Sequence, residues 1–261
     1  QETAALDNPY LTQTARCHGF DVYGQMLGQA KWIDMLFLLF AGEAPSAAQA
    51  RVLEDLAVAL ANPGPREASV HAAMCGGVAG SPAAACLMAA LAVGAGKVGG
   101  GREVFLAMSA WQAAGANTAT LVREFAASTQ TGLEVWPQTD QWPGFEPHNQ
   151  HAALPVRQTL ARLALHSPGQ ALPYLAAQHT VLEARCGHGL ALSGVAAAAF
   201  HDIGMSPAQG EMLHLLLRLP GAAAHALEQR ETGYKNFPFG SIDLQNDPDA
   251  ADAIHANSIQ A

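Results

Sequence analysis

Two Ala-rich segments meet at a run of glycines, and this junction constrains the fold more than any other stretch of the chain. Pro82-Ala-Ala-Ala-Cys-Leu-Met-Ala-Ala-Leu-Ala-Val93 leads into Gly94-Ala-Gly-Lys-Val-Gly-Gly-Gly-Arg-Glu103, and Val104-Phe-Leu-Ala-Met-Ser-Ala-Trp-Gln112 follows. Ala is the best helix former and Gly interrupts helices while admitting unusual backbone angles. The pattern predicts a helix over 82–95, a turn, and a second helix over 102–114. Small side chains let such helices pack backbone to backbone, as central helices of a large α domain do. A helix starting at Arg102 or Glu103 would aim its free N–H groups at whatever sits beside the glycines, which suits a ligand anion. The plainer reading is a helix–helix turn.

The rest of the chain is equally poor in strand signals. Alternating β-branched runs do not occur, and Ala and Leu dominate, so the expected class is all-α. Helices are expected over 21–30, 32–41, 46–61, 67–78, 82–95, 102–114, 117–132, 155–166, 170–185, 189–203, 207–217 and 219–233. Ser46-x-x-Gln49 and Ser206-Pro207 have the form of helix N-termini, and Pro63-Gly64-Pro65 breaks the chain between helices. After Phe239 the chain turns polar, with Asp243, Asp247, Asp249 and Asp252, and reads as a loose tail. No internal repeat is visible.

Composition narrows the function. With 261 residues the chain can bury a substantial core. Its net charge of −9, with only 13 Lys and Arg, speaks against a nucleic-acid partner. The apolar run Met35–Ala41 is too short to span a bilayer, and Asp34 and Glu43 flank it. No charged-then-apolar signal segment opens the chain, so the expected location is cytoplasmic. Cys17, Cys75, Cys86 and Cys186 lack C-x-x-C spacing and read as reduced core thiols, with no metal site expected.

The order of several segments resembles the citrate synthase superfamily, and most closely its short bacterial citryl-CoA lyase-like members. Arg16-Cys-His-Gly-Phe-Asp-Val-Tyr-Gly24 is similar to that family's Arg-Gly-Tyr-Asp opening. Trp32–Ser46, ending Ala-Gly-Glu-Ala-Pro-Ser, is similar to its Gly-Glu-Leu-Pro-Ser segment. Gly96–Glu103 falls where the family has Gly-Pro-Leu-His-Gly-Gly-Ala-Asn-Glu, and Pro143-Gly-Phe145 opens its Gly-Phe-Gly-His loop. Arg218–Arg230 resembles its C-terminal helix, and Tyr234–Phe239 the tail of the lyase-like branch. The resemblance covers about residues 9 to 240. It implies an all-α fold with a large helical domain (1–114 and 206–240), a smaller one (115–205) and a polar tail (241–261), assembled as a homodimer.

The departures fall on the family's catalytic positions. Val98 stands where the resemblance places the His that enolises the acyl-CoA. Pro147 stands at the His that polarises the keto acid, and Ser193 at the Asp base. Leu154-Pro-Val156 replaces Asp-Pro-Arg, and Asn62-Pro-Gly-Pro65 has no His where the family carries one near a helix break. Abstracting a proton beside a thioester carbonyl needs a base and a donor to the enolate oxygen. Val98 supplies neither, and Ser193 is a poor base unless a His activates it. Ordinary citrate synthase activity is therefore not expected.

Replacement groups stand nearby in sequence. His148 and His151 occupy the former His loop, His188 lies shortly before Ser193, and Arg102 replaces a neutral residue beside the glycines. His148, His188 and Ser193 are the catalytic candidates; Gly99, Gly100, Arg102 and His151 are the substrate-binding candidates. Arg102 could hold a carboxylate bidentately, and His is the side chain that titrates near neutrality. Of the other histidines, His166, His179, His201, His214 and His225 read as solvated or hydrogen-bonded surface groups. The implied function is carbon–carbon bond formation or cleavage on a small polycarboxylate or acyl-CoA, as a lyase or transferase. A coenzyme A thioester would be a co-substrate, with no bound cofactor. The alternative is an inactive paralogue that binds a metabolite or a partner subunit. Gly94-x-Gly96-x-x-Gly99 also matches a dinucleotide fingerprint, but the preceding segment is helical and position 119 is Ala rather than acidic. A P-loop is excluded because Val98, not Ser or Thr, follows Lys97.

Overall fold

The computed structural model describes residues 2–115, 117–128 and 141–238. The predicted tail, 241–261, lies outside them, as does the end of the helix predicted over 117–132. The body is all-α. Ten α-helices follow in order among the described residues: α1 (Trp32–Ala41), α2 (Ala47–Leu60), α3 (Ala68–Val78), α4 (Ala83–Gly94), α5 (Gly101–Ala114), α6 (Thr118–Ser128), α7 (Leu154–Ala164), α8 (Ala171–Cys186), α9 (Leu192–Asp202) and α10 (Pro207–Thr232).

Both expected Ser-led helix starts are present. Ser46 Oγ accepts from Gln49 N (3.2 Å) while Gln49 Oε1 accepts from Ser46 N (2.9 Å). Ser206 and Gln209 repeat the arrangement. The amide ends of both glutamines then reach other helices: Gln49 Nε2 donates to Ile203 O and Gln209 Nε2 to Phe40 O. Each capping box therefore also fastens two parts of the core.

Two expectations fail. First, the N-terminus is not helical. Strands β1 (Glu2–Ala5), β2 (Asn8–Cys17) and β3 (Phe20–Asp21) form an antiparallel meander, and only a five-residue π turn (Val22–Met26) occupies the helix expected over 21–30. The strand pattern was faint because neither face of β2 is buried, so no apolar alternation marks it. His18 (φ 46°) and Gly19 (φ 92°) make the two-residue turn between β2 and β3, where both residues need positive φ. Second, 207–217 and 219–233 are one helix, with Pro220 inside it. The helix survives because the next N–H finds an outside partner: Gly221 N donates to Ala61 O at 2.7 Å. A Cβ on Gly221 would lie 2.5 Å from that oxygen, so only Gly allows the approach.

The main core runs from α1 and α2 through α5, α6, α7, α8, α9 and α10. Its centre is α9, in which every residue from Ser193 to Phe200 is buried. A helix apolar on all sides belongs inside. A second cluster joins α3, α4 and α10 around Val70, Met74, Cys86 and Ala226. Here the small-residue packing expected of 82–95 is present: a Cβ on Gly76 would meet Cys86 Sγ at 2.9 Å and its Cα at 3.3 Å. Yet α4 keeps Met88 and Val93 exposed, so α9 rather than α4 is the enclosed helix of the chain. Of the four thiols, all free, only Cys86 is buried and Cys75 is exposed, which corrects the reading of four core cysteines. No described helix is long and apolar enough to cross a membrane.

Candidate active site

Aromatic packing sets the position of the loop that carries the former His motif. Trp142 and Phe145 are buried against Phe125 of α6, which itself meets Trp111 of α5. Gly144 then lies against Gly194 of α9: a Cβ on Gly144 would come within 2.7 Å of Gly194 Cα, and one on Gly194 within 2.3 Å of Gly144 O. Two glycines facing each other let the loop touch the first turn of α9, and Ala191 N donates to Gly144 O (2.9 Å). Glu146 N to Gly189 O and Gly189 N to Asn149 O lay the loop along residues 187–190.

A buried carboxylate ties this loop to the glycine turn. Glu103, in the first turn of α5, has no exposed surface. Its Oε2 accepts from Gly99 N (2.6 Å), and its Oε1 accepts from Gly144 N (2.9 Å) and Gln141 Nε2 (3.2 Å). The N–H that the glycine turn presents at Gly99 is thus taken by the chain's own Glu103. Burial pushes the Glu103 pKa up to about 7; bonds from Gly144, Ser193 and Gly99 oppose this, and the charge of Glu146 adds to it. Ser193 acts on Glu103 from close by, although its buried Oγ makes no hydrogen bond of normal geometry. Gln141 Oε1 is likewise buried without a partner.

The opposite wall comes from α10. Arg218 is buried, pairs through Nη2 with Glu67, and donates through Nη1 to Gly99 O (2.7 Å). Arg218 Nη1 also lies 3.2 Å from His214 Nε2. Arginine only donates, so Nε2 accepts and the His214 proton sits on Nδ1. Burial and the Arg218 charge lower the His214 pKa to about 3, against the pull of the Gly99 carbonyl, so this imidazole is neutral. The second oxygen of Glu67 caps α3, accepting from Ser69 N (3.0 Å) and Val70 N (3.1 Å).

These groups surround one cavity of about 380 Å³. Val98, Pro147 and Ser193, where the resemblance implies His, His and Asp, all line it. Of the sequence candidates, Gly99, His148 and Ser193 line it as well. Gly100 is buried in the turn behind Gly99 and does not. Arg102 lies off the cavity, 3.6 Å from Glu211 and over the Phe105 ring. His151 is largely exposed, 3.9 Å from Glu183, and His188 packs its backbone against Cys186 Sγ; neither lines the cavity. Burial drives the Cys186 thiol up to about 11, so it is no nucleophile at neutral pH. Sequence reading missed Glu67, Glu103, Gln141, His214 and Arg218. Glu103 and Arg218 stood within quoted motifs, but nothing along the chain marked them as facing one another. No three His, Cys, Asp or Glu side chains among the described residues could hold a metal ion.

No family model and no curated protein sequence matches the chain. Solved structures do. It is similar to a citryl-CoA lyase from Hydrogenobacter thermophilus, with 16% identity and a TM-score of 0.66, over 90% of this chain and 93% of that one. An ATP citrate lyase from Methanothrix soehngenii, solved with citrate and coenzyme A, matches with 18% identity and a TM-score of 0.63, over 87% of this chain and 39% of that one. A citrate synthase from Thermotoga maritima matches with 17% identity and a TM-score of 0.59, over 81% and 56%. Arrived at independently from segment order and from three-dimensional similarity, the architecture of this chain is the citrate synthase-superfamily fold.

Proposed function

We propose that the chain catalyses Claisen-type carbon–carbon bond formation or cleavage on a small acyl thioester, with coenzyme A as the carrier and no bound cofactor. The observation that carries this reading is Glu103: a fully buried carboxyl, pKa about 7, in the same cavity as the Ser193 hydroxyl. A base poised near neutral pH is what abstraction of a proton beside a thioester carbonyl requires. Ser193, beside Glu103, donates its Oγ–H to the oxygen of the developing enolate. His148, at the mouth of the cavity, is a second proton carrier, and Gly99 lends the wall its close backbone approach. The structural likeness to a citryl-CoA lyase supports the reaction class.

Proton abstraction can be read without the second substrate. Incubated with acetyl-CoA in D2O, the protein exchanges methyl protons for deuterium above the buffer rate, as measured by mass spectrometry. Glu103→Gln loses this exchange by roughly 10²–10⁴-fold. Exchange by the variant at the parent rate removes Glu103 from the reaction.

The second reading is a subunit that binds a metabolite or partner without turnover. The apolar Val98 and Pro147 in the cavity wall favour it. Absence of exchange with acetyl-CoA and propionyl-CoA would make it the better account. On either reading the protein works in the cytoplasm as a homodimer. Residues 1–114 with 206–240 supply Gly99, His214 and Arg218, and residues 115–205 supply the facing His148 and Ser193.

A further inference from the structure

Resting on that reading, we propose that the cavity excludes polycarboxylates: it takes the uncharged acyl end of the thioester and a partner with at most one carboxylate, and Glu67 sets this selectivity by occupying Arg218. Arg218 is the buried cation of the cavity wall, and the protein already uses it. One terminal nitrogen meets Glu67, and the other serves Gly99 O at 2.7 Å and faces His214 Nε2 at 3.2 Å. An incoming carboxylate would have to displace Glu67. That carboxylate also caps α3 through Ser69 N and Val70 N, so displacing it disturbs the start of a helix. His214 stays neutral and offers no charge.

The other ionisable groups of the wall make matters worse for a polyanion. Glu103 and Glu146 are both acids, and the remaining basic group is His148 at the exposed rim. Arg102, the cation nearest the glycines in sequence, stands outside the cavity on Glu211. A tricarboxylate would add its charges beside Glu67 and Glu146 while Arg218 is already paired, and like charges in a low-dielectric space repel strongly. An acyl thioester brings no charge to the cavity, and its charged nucleotide can remain outside.

The test is a gain of binding. Calorimetry with sodium citrate is run on the parent, on Glu67→Gln and on Glu67→Asp. The first variant removes the charge opposite Arg218. The second keeps a capping carboxylate for α3 but shortens its reach, which guards against loss of the fold; circular dichroism checks both. Released Arg218 is expected to raise citrate affinity at least about tenfold over the parent. Citrate bound by the parent as tightly as by either variant overturns the proposal, and so does a folded variant with no gain. Deuterium exchange from acetyl-CoA, measured on the parent, reports separately on the reaction. A citrate gain without exchange leaves the selectivity standing and removes the Claisen reading.

Discussion

A carboxyl group with no contact to water must either find donors or keep its proton, and Glu103 does some of each. Its folded pKa of about 7 lies above the ordinary value of 4.5, so folding favours the protonated form. That contribution is fully present below about pH 4.5 and is lost as pH rises through 7. At about 1.4 kcal/mol per unit, the difference amounts to about 3 kcal/mol. His214 has the opposite slope: its pKa falls from 6.5 to about 3, so its contribution is present above 6.5 and lost as pH falls. The two offset each other over much of the acid range, and a variant is needed to separate them. Glu103→Gln should gain stability relative to the parent, by about 3 kcal/mol, between pH 5 and pH 8 in urea unfolding. A difference that does not change with pH would mean that Glu103 is ionised throughout. Sequence reading placed Glu103 in the first turn of its helix but gave it no role, because its burial depends on a loop that comes much later in the chain.

At the scale of elements, local signals served well where they stood beside the feature they control. Ser46-x-x-Gln49 and Ser206-x-x-Gln209 each close their boxes within one turn. They failed where the deciding partner is remote. Pro220 ends a helix by every local rule, yet α10 continues because Ala61 O accepts the following N–H. Gly221→Ala tests this joint. Its methyl would lie 2.5 Å from Ala61 O and 2.8 Å from Asn62 Cα, both backbone atoms. We expect a loss of about 1–3 kcal/mol in denaturant unfolding, the usual cost of forced overpacking. An unchanged midpoint would show that α10 slides freely past the end of α2. The meander of β1–β3 went unseen for a related reason: exposed strands carry no burial pattern to read.

For the whole molecule, the unpaired apolar surface is the remaining feature. Met88 and Val93 on α4, with Leu216 and Leu227 on α10, are all at least 40% exposed. An Ala-rich helix with little polar surface suits an isologous contact, where small residues permit close approach about a two-fold axis. We expect a dimer in sedimentation equilibrium at micromolar concentration and a shift toward monomer for Met88→Glu. A parent that sediments as a monomer would refute this.

The sequence by itself determined the helical class, most helix positions, the glycine turn and the approximate place of the cavity. Those properties follow from composition and from residues within a turn of one another. Segment order pointed to Val98, Pro147 and Ser193, and all three line the one cavity. The tertiary structure alone decided which groups hold charge there. Glu103 meets Gly144 across 41 positions, and Arg218 meets Gly99 across 119. Arg102, the cation beside the glycines in sequence, points away from the cavity, while Arg218, far along the chain, enters it. A pKa and an ion pair are set by burial and by neighbours in space. Neither is encoded in the distance between residues along the chain.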